Sequence, residues 1–189
     1  MKKIILAVLL ALGSLTANAQ IYVGGETGLW RNADNNNTNF TLRPEVGYEL
    51  SEKWDLGLSV GFSHDYNGGK KHKSYTKTNA CEVNPYARWT FAQWGPVHLF
   101  LEMGFGFETY KVKAGDDDDH VVEGDAQTAW NVGVKPGLSI DVAKHLQFIT
   151  HVGFLGYRDS DDKFDAHKND GFGFQLHSDN LTVGLLYKF

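Results

Sequence analysis

The sequence predicts an all-β chain closed into an eight-stranded antiparallel up-and-down transmembrane β-barrel. Three observations predict it. Apolar and polar residues alternate with a period of two in segment after segment of the 189-residue chain. The links between those segments alternate short and long. The apolar faces carry more side-chain volume than the interior of an eight-stranded barrel can enclose, since such an interior is just wide enough to be filled by side chains.

Composition narrows the classes first. Hydrophobic residues make up 42% and aromatics 13%, with 21 glycines against 4 prolines, which suits β structure and excludes a disordered or collagen-like chain. A formal charge of −5 argues against nucleic acid as a partner, because such binders carry a basic stripe. The lone cysteine, Cys81, excludes an internal disulfide, a cysteine-based zinc site and a CxxC redox motif.

Residues 1–20 read MKKIILAVLLALGSLTANAQ. Lys2 and Lys3 form a basic start, Ile4 to Leu12 an apolar run too short to span a bilayer as a helix, and Ala17-Asn18-Ala19 an A-x-A cleavage site. The expected division is a removed export signal over 1–19 and a mature domain over 20–189. Losing two lysines and no acid takes the net charge from −5 to −7.

The strands follow in order. Segment 21–30 has Ile21, Val23 and Leu29 on one face, interrupted by Gly25 and Thr27. In 39–50, Phe40, Leu42, Pro44, Val46, Tyr48 and Leu50 oppose Thr41, Arg43, Glu45, Gly47 and Glu49, a separation that a helix would scatter. Segment 54–65 sets Trp54, Leu56, Leu58, Val60 and Phe62 against Asp55, Gly57, Ser59, Gly61 and Ser63. The same test gives 79–92 (Cys81, Val83, Pro85, Ala87, Trp89, Phe91), 97–111 (Val97, Leu99, Leu101, Met103, Phe105, Phe107) and 128–141 (Trp130, Val132, Val134, Pro136, Leu138, Ile140). The last two are 146–158 (Leu146, Phe148, Val152, Phe154) and 179–189 (Leu181, Val183, Leu185, Tyr187, Phe189). Pro44, Pro85 and Pro136 fall in mid-strand, where each removes a ladder donor, so bulges are expected there.

Links at 51–53, 92–96 and 142–145 are short; those at 31–38, 67–78, 113–127 and 159–178 are long and polar. With an exported N-terminus, this is the pattern of short periplasmic turns and longer extracellular loops. A soluble protein exposing such an apolar belt would aggregate, whereas lipid is a solvent for it, and closure removes the sheet edges that hydrocarbon cannot satisfy. Aromatic girdles are expected from Tyr48, Trp54, Trp89, Phe91, Tyr187 and Phe189 near the short turns and from Phe40, Phe62, Phe107, Trp130 and Phe154 toward the loops. The opposite face, rich in glycine with scattered charges, suits a narrow polar lumen.

The C-terminal segment Asn180-Leu181-Thr182-Val183-Gly184-Leu185-Leu186-Tyr187-Lys188-Phe189, together with Asn84-Pro85-Tyr86-Ala87-Arg88 and Lys135-Pro136-Gly137-Leu138, resembles the small eight-stranded outer-membrane β-barrels of Gram-negative bacteria. That group includes the OmpA-like barrel domain and the OmpW and OmpX types. The resemblance implies residence in the outer membrane, contact with its lipid and lipopolysaccharide, and Tyr187 with Phe189 as the signal read by the barrel-assembly machinery. It also raises an enzymatic alternative, since some such barrels modify lipid A. Here His177-Ser178-Asp179 is the nearest candidate, yet adjacent strand residues point to opposite faces and nothing orients His177 toward Ser178.

Within the lumen, Glu26, Glu45, Arg88, Glu102, Lys135 and His151 are expected at similar depth, with Lys135 and Arg88 paired to Glu102 and to Glu45 or Glu26. They read as a plug of salt bridges, with a narrow passive channel for small solutes as the alternative. In the third long loop Asp116, Asp117, Asp118, Asp119 and His120 can bind a hard divalent cation, without EF-hand spacing. The second long loop is basic instead, holding Lys70, Lys71, Lys73 and Lys77. No motif calls for a cofactor or a catalytic residue. The expectation is an integral outer-membrane barrel with a structural or surface-interaction role through its extracellular loops, its ligand unspecified.

Overall fold

The computed structural model describes residues 20–32, 36–68, 74–116, 121–160, 170–175 and 182–189. The strands are β1 (Ile21–Asn32), β2 (Asn37–Ser51), β3 (Trp54–Gly68), β4 (Ser74–Trp94), β5 (Val97–Asp116), β6 (Val121–Glu123), β7 (Gln127–Ala143), β8 (Leu146–His151), β9 (Phe154–Ser160), β10 (Gly171–Gln175) and β11 (Thr182–Lys188). Every pairing is antiparallel, and β1 returns to β11 from Tyr22↔Lys188 to Thr27↔Val183, which closes the sheet. The wall has eight positions: β8 continues into β9 as the seventh strand, β10 and β11 share the eighth, and β6 is a short addition against β5. The fold is a closed eight-stranded antiparallel barrel, and no helix among the described residues is long and apolar enough to cross a membrane.

One rim is zipped by backbone hydrogen bonds. The short turns at Glu52 and Lys53, Gly95 and Pro96, and Lys144 and His145 lie there with Gln20 and Phe189. Glu49 N donates to Gln20 O, Thr90 N to Lys53 O, Asp141 N to Pro96 O and Lys188 N to His145 O. Register shifts at Glu49/Ser51, Thr90/Ala92 and Asp141/Ala143 place one bulge beside each turn, where the added twist lets a tight hairpin reverse.

Alternation decides the faces. Along β4, Glu82, Asn84, Tyr86 and Arg88 are buried, while Val83 and Trp89 between and beyond them are exposed to the membrane side. Trp54 stacks on Trp89 with 6.1 Å between ring centroids near the turn rim, and Phe105 stacks on Trp130 at 6.1 Å toward the other.

The structure departs from the sequence reading in four places. Strands run further toward the loops than apolar alternation indicates: β4 begins at Ser74 rather than 79, and β5 reaches Asp116 rather than 111. Beyond the membrane no apolar face is needed, but Thr and Tyr in Ser74-Tyr75-Thr76-Lys77-Thr78 still favour extended backbone. Second, the strand read as 146–158 is broken at Val152 and Gly153, where β8–β9 spends three residues between His151 and Leu155 against two on β7. Gly153 has φ of 78°, a left-handed conformation open to glycine. The extra residue inverts the parity above it. Phe154 therefore points inward, 5% exposed, and not into the outer girdle as expected; Leu155 and Tyr157 face out in its place.

Third, β10 lies within the stretch read as the loop 159–178; β11 is described from Thr182, and the start read at 179 lies outside the described residues. Gly171-Phe172-Gly173-Phe174 is itself a period-two pattern, shortened by its glycines below the length that reads as a strand. Fourth, the ladders pass Pro44 and Pro85 with skipped bridges but no register shift, and the irregularity near Pro136 falls on the facing strand.

Candidate functional site

Inward-facing side chains from several strands meet in the turn-side part of the lumen, a few residues above the short turns. Tyr22 on β1, Tyr86 on β4 and Phe100 on β5 supply the bulk, and each leans on a residue without a side chain. A Cβ at Gly47 would fall 2.1 Å from the Tyr22 ring, one at Gly57 2.3 Å from Tyr86 and one at Gly137 2.2 Å from Phe100. Glycine on the facing strand is what lets three aromatic rings fit across so narrow a barrel.

Charges occupy what the rings leave. Arg88 Nη2 donates to Glu45 Oε2 at 3.0 Å and to Glu102 Oε2 at 2.9 Å, all three side chains about 4% exposed. The guanidinium lies over Phe100, 4.9 Å from its ring centroid, and over Tyr86 at 5.0 Å. Tyr86 donates its hydroxyl to Glu45, and the Tyr22 and Tyr86 hydroxyls are 3.0 Å apart.

His151 joins the opposite sides of the barrel. Its Nδ1 is 2.5 Å from Glu26 Oε1 and its Nε2 3.0 Å from Glu102 Oε2, so it donates to both carboxylates only as an imidazolium. Glu26 also accepts from Thr182 Oγ1 at 2.8 Å. Arg43 lies 3.9 Å from Glu26 and 3.4 Å from Glu82, and Asn131 donates to Glu82 at 3.0 Å. Four carboxylates (Glu26, Glu45, Glu82, Glu102) thus share this layer with Arg43, Arg88, Lys135 and His151. A buried charge in a low-dielectric interior requires a partner of opposite sign.

This layer divides the interior. On the loop side a cavity of about 900 Å³ has Arg43, Glu82, Lys135 and His151 at its base and Glu108, Tyr110 and Arg158 on its walls. On the turn side a cavity of about 400 Å³ is lined by Glu49, Asp55, Arg88, His98, Phe100 and Lys188 among others. Arg88 lines only the second; Lys135 and His151 line only the first.

All six residues expected in the lumen face inward, but the partners differ in part from those expected. Lys135 sits opposite Glu102 in the β5–β7 register, yet Glu102 is bonded by Arg88 and His151. Arg43, Glu82, Tyr22 and Tyr86 complete the layer. The same alternation that marks Glu45 as inward marks Arg43 and Glu82, and large polar rings opposite glycines were the signal for the tyrosines. Of the acidic tract, Asp116 ends β5, while Asp117, Asp118, Asp119 and His120 lie outside the described residues, as do the export signal 1–19 and His177-Ser178-Asp179. Phe189 donates its backbone N–H to Ile21 O at 3.0 Å, and its ring meets Tyr187 edge-on at 5.1 Å.

The family model described as outer membrane protein beta-barrel domain matches residues 4–189. The chain belongs to that family. It is an outer-membrane β-barrel. Among solved structures, Neisserial surface protein A is similar over 90% of this chain and 96% of its own, at 19% identity and a TM-score of 0.50. A major outer membrane protein from Thermus thermophilus is similar over 91% of this chain and 100% of its own, at 14% identity and a TM-score of 0.51. These likenesses concern the fold. No curated protein matches the sequence.

Proposed function

We propose that this barrel is a closed, non-conducting platform that works at the cell surface, in a structural or interaction role, and not as a solute path. The observation that carries the reading is the charged and aromatic layer between the two cavities. Tyr22, Tyr86 and Phe100 fill the section, and the Arg88 and His151 bridges tie strands on opposite sides. A side chain moved aside to let a solute through would leave a buried charge unpaired. Strands β3, β4 and β5 extend past the membrane, to Gly68, to Ser74 and to Asp116 respectively.

Planar bilayers containing the folded mature barrel test the closed lumen: no stepwise conductance is expected, and regular steps would overturn it. The surface role is tested by excising 117–126. The variant should fold and reach the outer membrane normally while cell attachment or aggregation changes; unchanged surface behaviour with every long loop excised in turn would remove the interaction role. In this reading Tyr187 and Phe189 serve assembly, so deleting Phe189 should lower outer-membrane levels. Unchanged levels would separate the Phe189–Ile21 closure from recognition.

A further inference from the structure

We propose that the outward face of β3, β4 and β5, just above the apolar belt, is a docking ridge for the phosphorylated headgroup of an outer-leaflet glycolipid. The residues come in register. His64, Asn79 and Lys111 form one row across the three strands, and Tyr66, Lys77 and Lys113 form the next. Below them lie Phe62, Cys81 and Thr109, then Val83 beside Phe107, the upper part of the lipid-facing surface. Alternation puts these rows outside the barrel, since the intervening Thr76, Thr78, Tyr110 and Val112 line the lumenal cavity.

Height selects the partner. From Trp89 in the turn-side girdle to Lys77 is twelve positions along β4. At about 3.3 Å per residue and a tilt of about 40°, this is about 30 Å along the membrane normal. An apolar band of about 25 Å ends just below, so Lys77, Lys111 and Lys113 stand in the headgroup layer.

The ridge is also prepared for an anion. Tyr66 and Tyr75 stack at 6.1 Å, and Lys77 Nζ lies 4.8 Å from the Tyr75 centroid and 5.7 Å from that of Tyr66, which holds the ammonium over the rings without neutralising it. Lys113 pairs with Glu123 at 3.1 Å, and among the described residues that is the one carboxylate reaching these lysines. Lys111 has no ion pair among them. In the same rows β2 shows Thr38 and Phe40 and β1 carries the separate Arg31, while the β5–β7 ladder ends below them at Tyr110 and Gln127, so the lysines form one patch on an otherwise acidic chain. A phosphate fixed in the membrane plane meets this patch without leaving the bilayer, and the tyrosines suit the same interfacial layer.

The test uses the folded mature barrel in detergent with EDTA, titrated with bis-phosphorylated lipid A and read by native mass spectrometry. Wild type should retain the lipid. The triple variant Lys77→Gln, Lys111→Gln, Lys113→Gln should lose of the order of a hundredfold in affinity, about fivefold per charge. Lys53→Gln with Lys144→Gln, at the other rim, should bind as wild type. Glu123→Gln, which releases Lys113, should bind a few times more tightly. Heat-dependent gel mobility verifies that each variant is folded. The proposal is overturned if the triple variant binds like wild type, if dephosphorylated lipid A binds equally well, or if EDTA abolishes binding, which would make a bridging metal the ligand. Displacement of lipid A by equimolar inorganic phosphate would overturn the lipid as the source.

Discussion

The two faces of β4 share one backbone and obey opposite rules. Val83, Ala87 and Trp89 look out and need only be apolar, because lipid is a fluid that conforms to whatever side chain meets it. Glu82, Asn84, Tyr86 and Arg88 look in, all 9% exposed or less, and Glu82, Tyr86 and Arg88 each have a particular partner. The outer face is specified by composition and the inner by geometry. Substitutions that break this contrast should therefore differ in kind, with isolated charge removal costly inside and charge insertion costly outside.

The largest expected effect is at Arg88. Arg88→Ala leaves Glu45 and Glu102 buried with a shared partner gone, a change of about 3–5 kcal/mol for breaking a buried ion pair. Urea unfolding in vesicles should show the loss. Replacing one charge of each sign, as Arg88→Met with Glu45→Gln, should recover much of it, since Glu102 then keeps His151 as its partner. An equal loss in the double variant would mean that Arg88 acts by packing on Phe100 and Tyr86 and not by charge.

Next is Leu58→Arg. Leu58 lies midway along β3 between Trp54 and Phe62, so the new guanidinium would sit near the bilayer midplane at about 2–4 kcal/mol. Leu58→Val should be nearly silent, because lipid fills the difference. If Leu58→Arg were also silent, this face would not be in hydrocarbon.

Smaller still is Gly47→Ala, one methyl group placed 2.1 Å from the Tyr22 ring. Overpacking of this kind costs about 1–3 kcal/mol. Because Tyr22 must turn away, the Tyr22–Tyr86 contact should go with it, and Tyr22→Ala in the same chain should relieve the strain. Gly25→Ala, outward on β1, provides the comparison only in part, since its Cβ would lie 2.9 Å from Arg43 O.

These effects also mark what could be read from the sequence. Period-two alternation was enough for the number of strands, the closed barrel and the inward direction of all six lumen charges, because lipid outside and a polar lumen inside act at every second residue. The partners were not legible. Glu26 and His151 are 125 residues apart and meet only through the closure of β1 on β11 and the stagger of the ring, which no local pattern states. Lys135, expected to hold Glu102, is adjacent to it in the ladder, yet Arg88 and His151 hold it. Strand ends above the membrane were missed for a different reason: in water the apolar face disappears while the ladder continues.

The gentlest test reads facing without disturbing the fold, and it is sharpest where the two faces exchange. Cys81 shares the outward parity of Val83 and is exposed, so it should accept an apolar maleimide from the bilayer and react slowly with a charged, impermeant one. On a Cys81→Ser background, Glu82→Cys should avoid the lipid-phase reagent. The bulge at Val152 and Gly153 makes a stronger demand on the seventh strand. Unbroken alternation from Phe148 would place Phe154 in lipid and Leu155 in the lumen, whereas the extra residue reverses both. Leu155→Cys should therefore label from the bilayer and Phe154→Cys should not. If Phe154→Cys took the apolar reagent as readily as Cys81, the strand would run straight through Gly153, and the base of the outer cavity would lose the ring that Arg158 covers at 4.4 Å.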